Sequence, residues 1–250
     1  VRSWEERALA RLRASWTWKY PRGVLACPNC SSALVLDESG ATCSNRHSFD
    51  RGRGGYLNLL VGGRLSSDAV PGDTGESLAA RRRFLSAGNY RPIADALAAA
   101  TAGAPGPVLD VGCGEGWYLS QLEGDRYGLD VSKTAVQMAA KAHHDVMFVV
   151  GNAYRLPVLD RSVGVAISVF APHPFDEFAR VLSPEGWWVT VTPGPLHLQE
   201  MKPDLSDREG VSERMRRRSE APPESQSSTR VQFVLQLTEQ SAEDLFAMTP

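Results

Sequence analysis

Long hydrophobic runs are missing from these 250 residues, and no apolar stretch is long enough to cross a bilayer as a helix. Cysteine is scarce: four residues are too few for a disulfide framework, and three of them sit at metal-ligand spacing, which favours a reducing compartment. The opening Val1-Arg-Ser-Trp-Glu-Glu6 is charged and lacks the apolar core of a secretion signal. A cytoplasmic protein with no membrane partner is therefore expected. Net charge is small too, at −2, but it conceals an asymmetry. Residues 1–91 carry 14 Lys and Arg against 8 Asp and Glu, whereas residues 92–250 carry 13 against 21. A basic front on an acidic back suits a nucleic-acid-facing module joined to a catalytic body, since basic patches attract phosphate. Solvated arginines in an arginine-rich composition are the alternative.

What is present is, first, a Cys27-x2-Cys30-x12-Cys43-x3-His47 cluster. Three thiols and one imidazole suit a closed tetrahedral zinc site, which holds structure together; catalytic zinc keeps a position open for water. The full spacing disfavours the bland alternative of buried free thiols and a surface histidine.

Periodicity divides the chain into four stretches. Residues 1–23 read as an amphipathic helical extension built on Trp4, Ala8, Leu12 and Trp16. Residues 24–60 form the zinc module, with strand-like Ala33–Leu36 between the ligand pairs. Residues 61–106 are a linker and helices: a loop to about residue 78, then helical patterning over Leu78–Leu85 and from Pro92, which suits a first helical turn. Residues 107–250 alternate strand and helix. The strands are Val108–Val111, Tyr127–Asp130, Val146–Val150, Val163–Phe170 and Trp187–Thr192; the helices are Trp117–Leu122, Thr134–Ala142 and one around Phe175–Val181. That alternation predicts an α/β, doubly wound, mainly parallel sheet. Within it, residues 203–229 read as a mobile insertion, Val231–Leu237 as a further strand and Ser241–Met248 as a helix.

The loop Val108-Leu-Asp-Val-Gly-Cys-Gly-Glu-Gly116 follows a strand and opens a helix, as a nucleotide-type loop must. Gly112 and Gly114 let backbone approach a ligand, and Gly116 lets helix and strand pack closely. Asp110 lies just before the loop, and Asp130 ends the next strand, where a carboxylate accepts from both ribose hydroxyls. The spacing is GxGxG, and Glu115 faces a pyrophosphate unfavourably, so S-adenosylmethionine is preferred over NAD, with an unliganded glycine turn as the bland reading. Asn152 and Ala153, after the third strand, flank the adenine on this reading. Phe170, His173 and Phe175 follow the fourth strand, where a substrate is reachable.

These segments together carry a resemblance. The zinc ligands, His47-Ser-Phe-Asp50, Gly55-Tyr-Leu-Asn-Leu-Leu60, Pro71-Gly-Asp73, Ala80–Leu85 with Gly88-Asn-Tyr90, Leu109–Gly116, Gly128–Lys133, Arg155-Leu-Pro157 and Thr192–Leu198 resemble the bacterial 23S rRNA (guanine-N1)-methyltransferases. The resemblance implies a Rossmann-like class I methyltransferase domain with an N-terminal zinc-binding module, and S-adenosylmethionine and Zn2+ as the bound groups. It implies cofactor contacts at Tyr90, Gly114, Glu115, Gly116 and His197, with Asp130 on the ribose. It implies a homodimer, and an rRNA hairpin as partner, read by the zinc module. The expected reaction is methylation of N1 of a guanine in a domain II hairpin loop, nucleotide 748 or the nearby 745, with the macrolide (tylosin-type) resistance subgroup favoured. Arg51, Arg53, Arg81, Arg82 and Arg83 are candidate phosphate contacts. The family also continues into a final strand beyond Pro250. The competing readings are a small-molecule methyltransferase with a zinc knob, and an RNA-binding protein without catalysis.

Overall fold

The computed structural model describes residues 23–60, 74–201 and 227–249. The helical extension expected over 1–23, all but its last residue, and most of the 203–229 insertion lie outside these residues. Three short antiparallel strands, β1 (Leu34–Leu36), β2 (Gly40–Cys43) and β3 (Ser48–Asp50), make the zinc module's own sheet. The main sheet has six strands in the order β4 (Leu57–Asn58), β7 (Met147–Val150), β6 (Arg126–Asp130), β5 (Val108–Val111), β8 (Val163–Val169), β9 (Leu182–Val191), and every pairing in it is parallel. The helices are α1 (Gly75–Ser86), α2 (Arg91–Thr101), α3 (Trp117–Ser120), α4 (Lys133–Ala142), α5 (Phe175–Val181) and α6 (Glu239–Met248).

β5, β7 and β8 are buried on both faces, as the near-continuous apolar runs of a parallel sheet require. Val108, Phe148, Val165 and Ile167 pack on one face against α2, α3 and α4, through Leu97, Leu119, Val136 and Ala139. Leu109, Val111, Leu129, Met147 and Ala166 face the other way, into one cluster with α5 and with Val24, Leu25, Cys27, Leu34 and Cys43 of the zinc module. Zinc module and sheet thus share a core. β4 makes the link covalent, since Leu57 and Asn58, expected within the module, pair with Val149 and Val150 at the sheet's edge.

Local capping agrees with the sequence: Ser132 Oγ accepts from Ala135 N at the start of α4, and Thr74 and Thr238 cap α1 and α6 likewise. Three expectations are corrected. The helix after the glycine loop stops at Ser120 rather than Leu122. β9 begins at Leu182, before Trp187. Among the described residues no strand forms over the expected Val231–Leu237; Phe233, Leu235 and Leu237 pack on an aromatic cluster while Val234 is exposed. Alternation there reports burial on one side.

Candidate functional site

The strand order reverses beside β5, whose neighbours are β6 and β8, and in such sheets ligands lie beyond the carboxyl ends of the strands at this switch. The glycine loop occupies that position. Gly112, Gly114 and Gly116 all have positive φ. A Cβ on Gly112 would lie 2.4 Å from Ala171 Cβ, and one on Gly116 would lie 2.7 Å from the Phe148 ring. The loop is tied down on its β6 side: Leu129 O accepts from Gly112 N at 2.8 Å and from Cys113 N at 3.0 Å. Cys113 is buried there as a packing residue.

Three carboxylates surround the loop. Asp130 accepts from Gly114 N at 2.9 Å and from Ser132 N at 2.8 Å, so it orders the loop from the position expected to meet a ribose. Glu115 is buried, and Asp110 is buried with its Oδ1 lacking a hydrogen-bond partner. Burial, with Asp130 and Glu115 adding repulsion, pushes Asp110 up to about 8. Such a cradle repels a pyrophosphate. The four-residue α3 also supplies little dipole to hold one. A sulfonium with an attached ammonium fits, because each positive charge relieves the buried acids.

Aromatic rings close one side. Tyr90, at the start of α2, has its ring centroid 6.3 Å from Phe170 and 6.4 Å from His197, and Phe170 and His197 stack at 5.5 Å and 24°. Phe170 holds a left-handed φ of 52°, a conformation that persists only where the surroundings impose it. The structure therefore brings Tyr90, Phe170 and His197 together from three segments distant in sequence. Asn152 and Ala153 lie in the turn after β7, next to Gly151, whose N donates to Asp130 O at 3.0 Å.

His173 sits across the strand end. Ser168 is fully buried in β8, and its Oγ donates to Pro172 O at 3.0 Å. Having given up its only proton, that hydroxyl accepts from Nδ1–H of His173 at 3.2 Å. The pairing selects the Nδ1–H tautomer and makes Nε2 the ring's acceptor. Sequence reasoning singled out His173 but missed Ser168, whose partnership exists only once β8 has turned back at Ala171.

The zinc ligands converge as the spacing implies, their four donor atoms lying within 4.8 Å of one another. Cys30 and Cys43 sulfurs are 3.7 Å apart, and His47 Nδ1 lies 3.3 Å from Cys43 Sγ and 3.5 Å from Cys27 Sγ. Tetrahedral zinc with ordinary bond lengths sets such edges at about 3.6–3.8 Å. Ser32 and Asn45 hold the Cys30 thiol down to about 5, the thiolate form a dication takes, whereas burial pushes Cys27 up. The donor set fits zinc and leaves no open position.

The candidate phosphate contacts fare differently. Arg51 donates to the carbonyls of Asp37 and Gly55, stiffening the module. Arg53 is exposed, but its neighbour Gly54 lies against Lys141, in the last turn of α4. Helix α4 runs back from the cofactor end, so Arg53 lies at the opposite end of the sheet. Arg81 is half-buried, its guanidinium near Gly114, and faces the acidic cradle. Arg83 makes a bidentate pair with buried Asp244 of α6. Arg82 is exposed and lies within charge range of His143, just past the end of α4. A run of arginines on a helix points in several directions, so the three on α1 have different surroundings.

A family profile described as "RlmA, N-terminal" covers residues 25–61, and one described as "Methyltransferase domain" covers residues 109–190. The chain is 37% identical over 188 residues to the 23S rRNA (guanine(748)-N(1))-methyltransferase of Streptomyces fradiae, spanning 71% of this chain and 66% of that one. A Micromonospora griseorubida protein whose name places it among the 23S rRNA (guanine-N(1)-)-methyltransferases is 38% identical over 216 residues, 75% of this chain and 70% of that one. A Bacillus subtilis (strain 168) protein of similar name is 32% identical, with 70% and 66% covered. The chain thus spans slightly less than two thirds of the first of these relatives and slightly more of the second. With the zinc ribbon and the methyltransferase sheet both in place, this chain belongs to the 23S rRNA (guanine-N1)-methyltransferase family.

Proposed function

We propose that this chain transfers the methyl group of S-adenosylmethionine to N1 of a guanine in a hairpin loop of 23S rRNA. The observation that carries the reading is the shared core: a zinc ribbon of the RlmA type is built into the same hydrophobic cluster as the sheet that carries the methyltransferase loop. A reader fixed rigidly to a transfer site suits a large, structured substrate better than a free metabolite. Nucleotide 748, in the name of the Streptomyces fradiae relative, is the first position to test; 745 is the second, and tylosin-type resistance is the phenotype expected on this reading. The chain acts as a homodimer on this reading.

N1 of guanine carries a proton near neutral pH, which must leave as the ring nitrogen attacks the methyl carbon. On this reading His173 Nε2 takes that proton, Ser168 holds the ring in the required tautomer, and Phe170 offers a face on which the extruded base stacks. The carbon–sulfur bond breaks with its electron pair on sulfur, and the imidazolium returns its proton to water. The test is transfer of labelled methyl to unmodified 23S rRNA or its hairpin fragment, with the site mapped by primer-extension arrest. Label appearing instead on tRNA or on small metabolites would sink the assignment.

A further inference from the structure

The zinc ribbon and the cofactor end of the sheet meet at one turn. β7 ends at Val150 beside the cofactor cradle, and the chain reverses through residues 152–155 before descending toward the start of β8. On the way down it pairs with the lead-in to the zinc ribbon. Leu25 bridges Val158 in antiparallel sense, Pro157 O accepts from Ala26 N at 2.9 Å, and Val24 O accepts from Leu159 N at 2.8 Å. As 157–159 descends, the lead-in climbs, and Cys27 arrives level with Leu156. The turn is therefore flanked by Asp130 on one side and by the Cys27–Cys30 knuckle on the other.

At its tip stands Tyr154, 70% exposed and the only aromatic among the large apolar side chains left exposed in the described residues. A lone exposed aromatic is ordinary on a protein surface. This one stands on unusually firm backbone. Asn152 Oδ1 accepts from Tyr154 N at 2.9 Å and Asn152 O from Arg155 N at 3.2 Å. Below the tip, Glu177 accepts from Leu156 N at 2.6 Å, and Arg180 donates to the carbonyls of Leu156 and Val158. Arg155 is exposed beside it. Arg46 is exposed in the second zinc knuckle, at a φ of 64° between Cys43 and His47. An exposed ring on firmly held backbone, with Arg155 next to it in sequence and Arg46 exposed in the zinc module, is the pattern of a stacking platform for unpaired bases.

We infer that Tyr154 stacks an unpaired base of the RNA hairpin loop, with Arg155 and Arg46 on the adjoining phosphates, so that the turn hands the loop from the zinc ribbon to the transfer site. The inference rests on the rRNA reading above and names the surface that recognises this substrate. The experiment measures binding of a fluorescent hairpin fragment by anisotropy, RNA KM in the methylation assay, and S-adenosylmethionine affinity by calorimetry. Tyr154→Ala is expected to weaken hairpin binding and raise RNA KM about tenfold or more, with Tyr154→Phe rescuing both. Cofactor affinity is expected to stay within about twofold, since RNA stacking makes no demand on the cofactor site. Arg46→Ala and Arg155→Ala should each reduce the salt dependence of RNA binding. Equal hairpin binding by Tyr154→Ala and the parent chain overturns the inference alone. A parallel loss of cofactor affinity also overturns it, by assigning Tyr154 to the adenine pocket. No hairpin binding by the parent chain overturns both this inference and the function on which it rests.

Discussion

At the scale of single residues, Asp110 offers the sharpest reading of the cofactor cradle. Its folded value, about 8, lies above the ordinary 3.8, because burial and two neighbouring acids disfavour its charge. A group whose folded pKa is raised contributes stability that is complete below its unfolded pKa and lost as pH rises through the folded one. The protein without cofactor should therefore lose stability from about pH 4 to about pH 8, at no more than roughly 1.4 kcal/mol per pH unit from this group. Asp110→Asn should flatten that slope in melts recorded at pH 5 and pH 8. Cofactor affinity in the parent chain should rise toward pH 8 as the acid ionises against the bound cation, with a proton released that calorimetry in two buffers detects. Asp110→Asn, lacking the charge, should bind about tenfold or more weakly. An affinity independent of both pH and residue 110 would remove Asp110 from the cofactor's surroundings. Across the cradle, His173→Ala should lower kcat about 10²- to 10⁴-fold with cofactor affinity unchanged, and Ser168→Ala should lower it less, by releasing the tautomer without removing the base. Unchanged single-turnover rates would dismiss His173 as proton acceptor. Zinc ligands and glycine loop were readable because each is a local spacing. Ser168, Tyr154 and Arg46 were not, because their meaning depends on what the fold places beside them.

At the scale of elements, the carboxyl-terminal helix shows how a contact far apart in sequence sets a local boundary. Asp244 of α6 is buried and receives both Nε and a terminal nitrogen of Arg83 from α1, with Leu245 beside it in the aromatic cluster. The Arg83 guanidinium holds the Asp244 carboxyl below its usual range. The contribution of a depressed acid is present above its unfolded pKa and lost as pH falls through the folded one. Arg83→Ala should therefore lower the melting temperature at pH 7, and the gap from the parent chain should close as pH falls below about 4. Replacing both partners should recover part of the loss, because the single change leaves a carboxylate buried without its main partner. An equal gap at pH 7 and pH 3 would show that Arg83 acts through its aliphatic stem. The same helix pair explains the misread strand: Val231–Leu237 alternates because one side packs on the Tyr90 cluster, and period two cannot distinguish that from pairing. β5 to β8 were readable because buried parallel strands are continuous apolar runs. The two-residue β4 carries too little pattern to be seen before its partner β7 is known.

At the scale of the whole molecule, zinc is part of the sheet's foundation. Cys27 and Cys43 lie in one buried cluster with Leu109 and Val111, the strand residues leading into the glycine loop. The lead-in to the first knuckle is pinned to 157–159 by backbone bonds and by the Arg180 side chain, itself paired with Glu177 and Asp160. All four ligands precede the α/β body in sequence, which by itself would make the module separable from that body. The shared core argues otherwise. Metal binding adds to the stability of whatever unit folds with it, and here that unit includes the sheet. Scanning calorimetry of the zinc-loaded chain should show one cooperative transition, and chelation or Cys30→Ser should move that whole transition down by several degrees. RNA binding should fall most, but cofactor affinity should fall as well, since the strand behind Gly112 loses its packing. Two separate transitions, of which only the smaller responds to chelation while cofactor affinity is untouched, would show instead that the ribbon folds by itself.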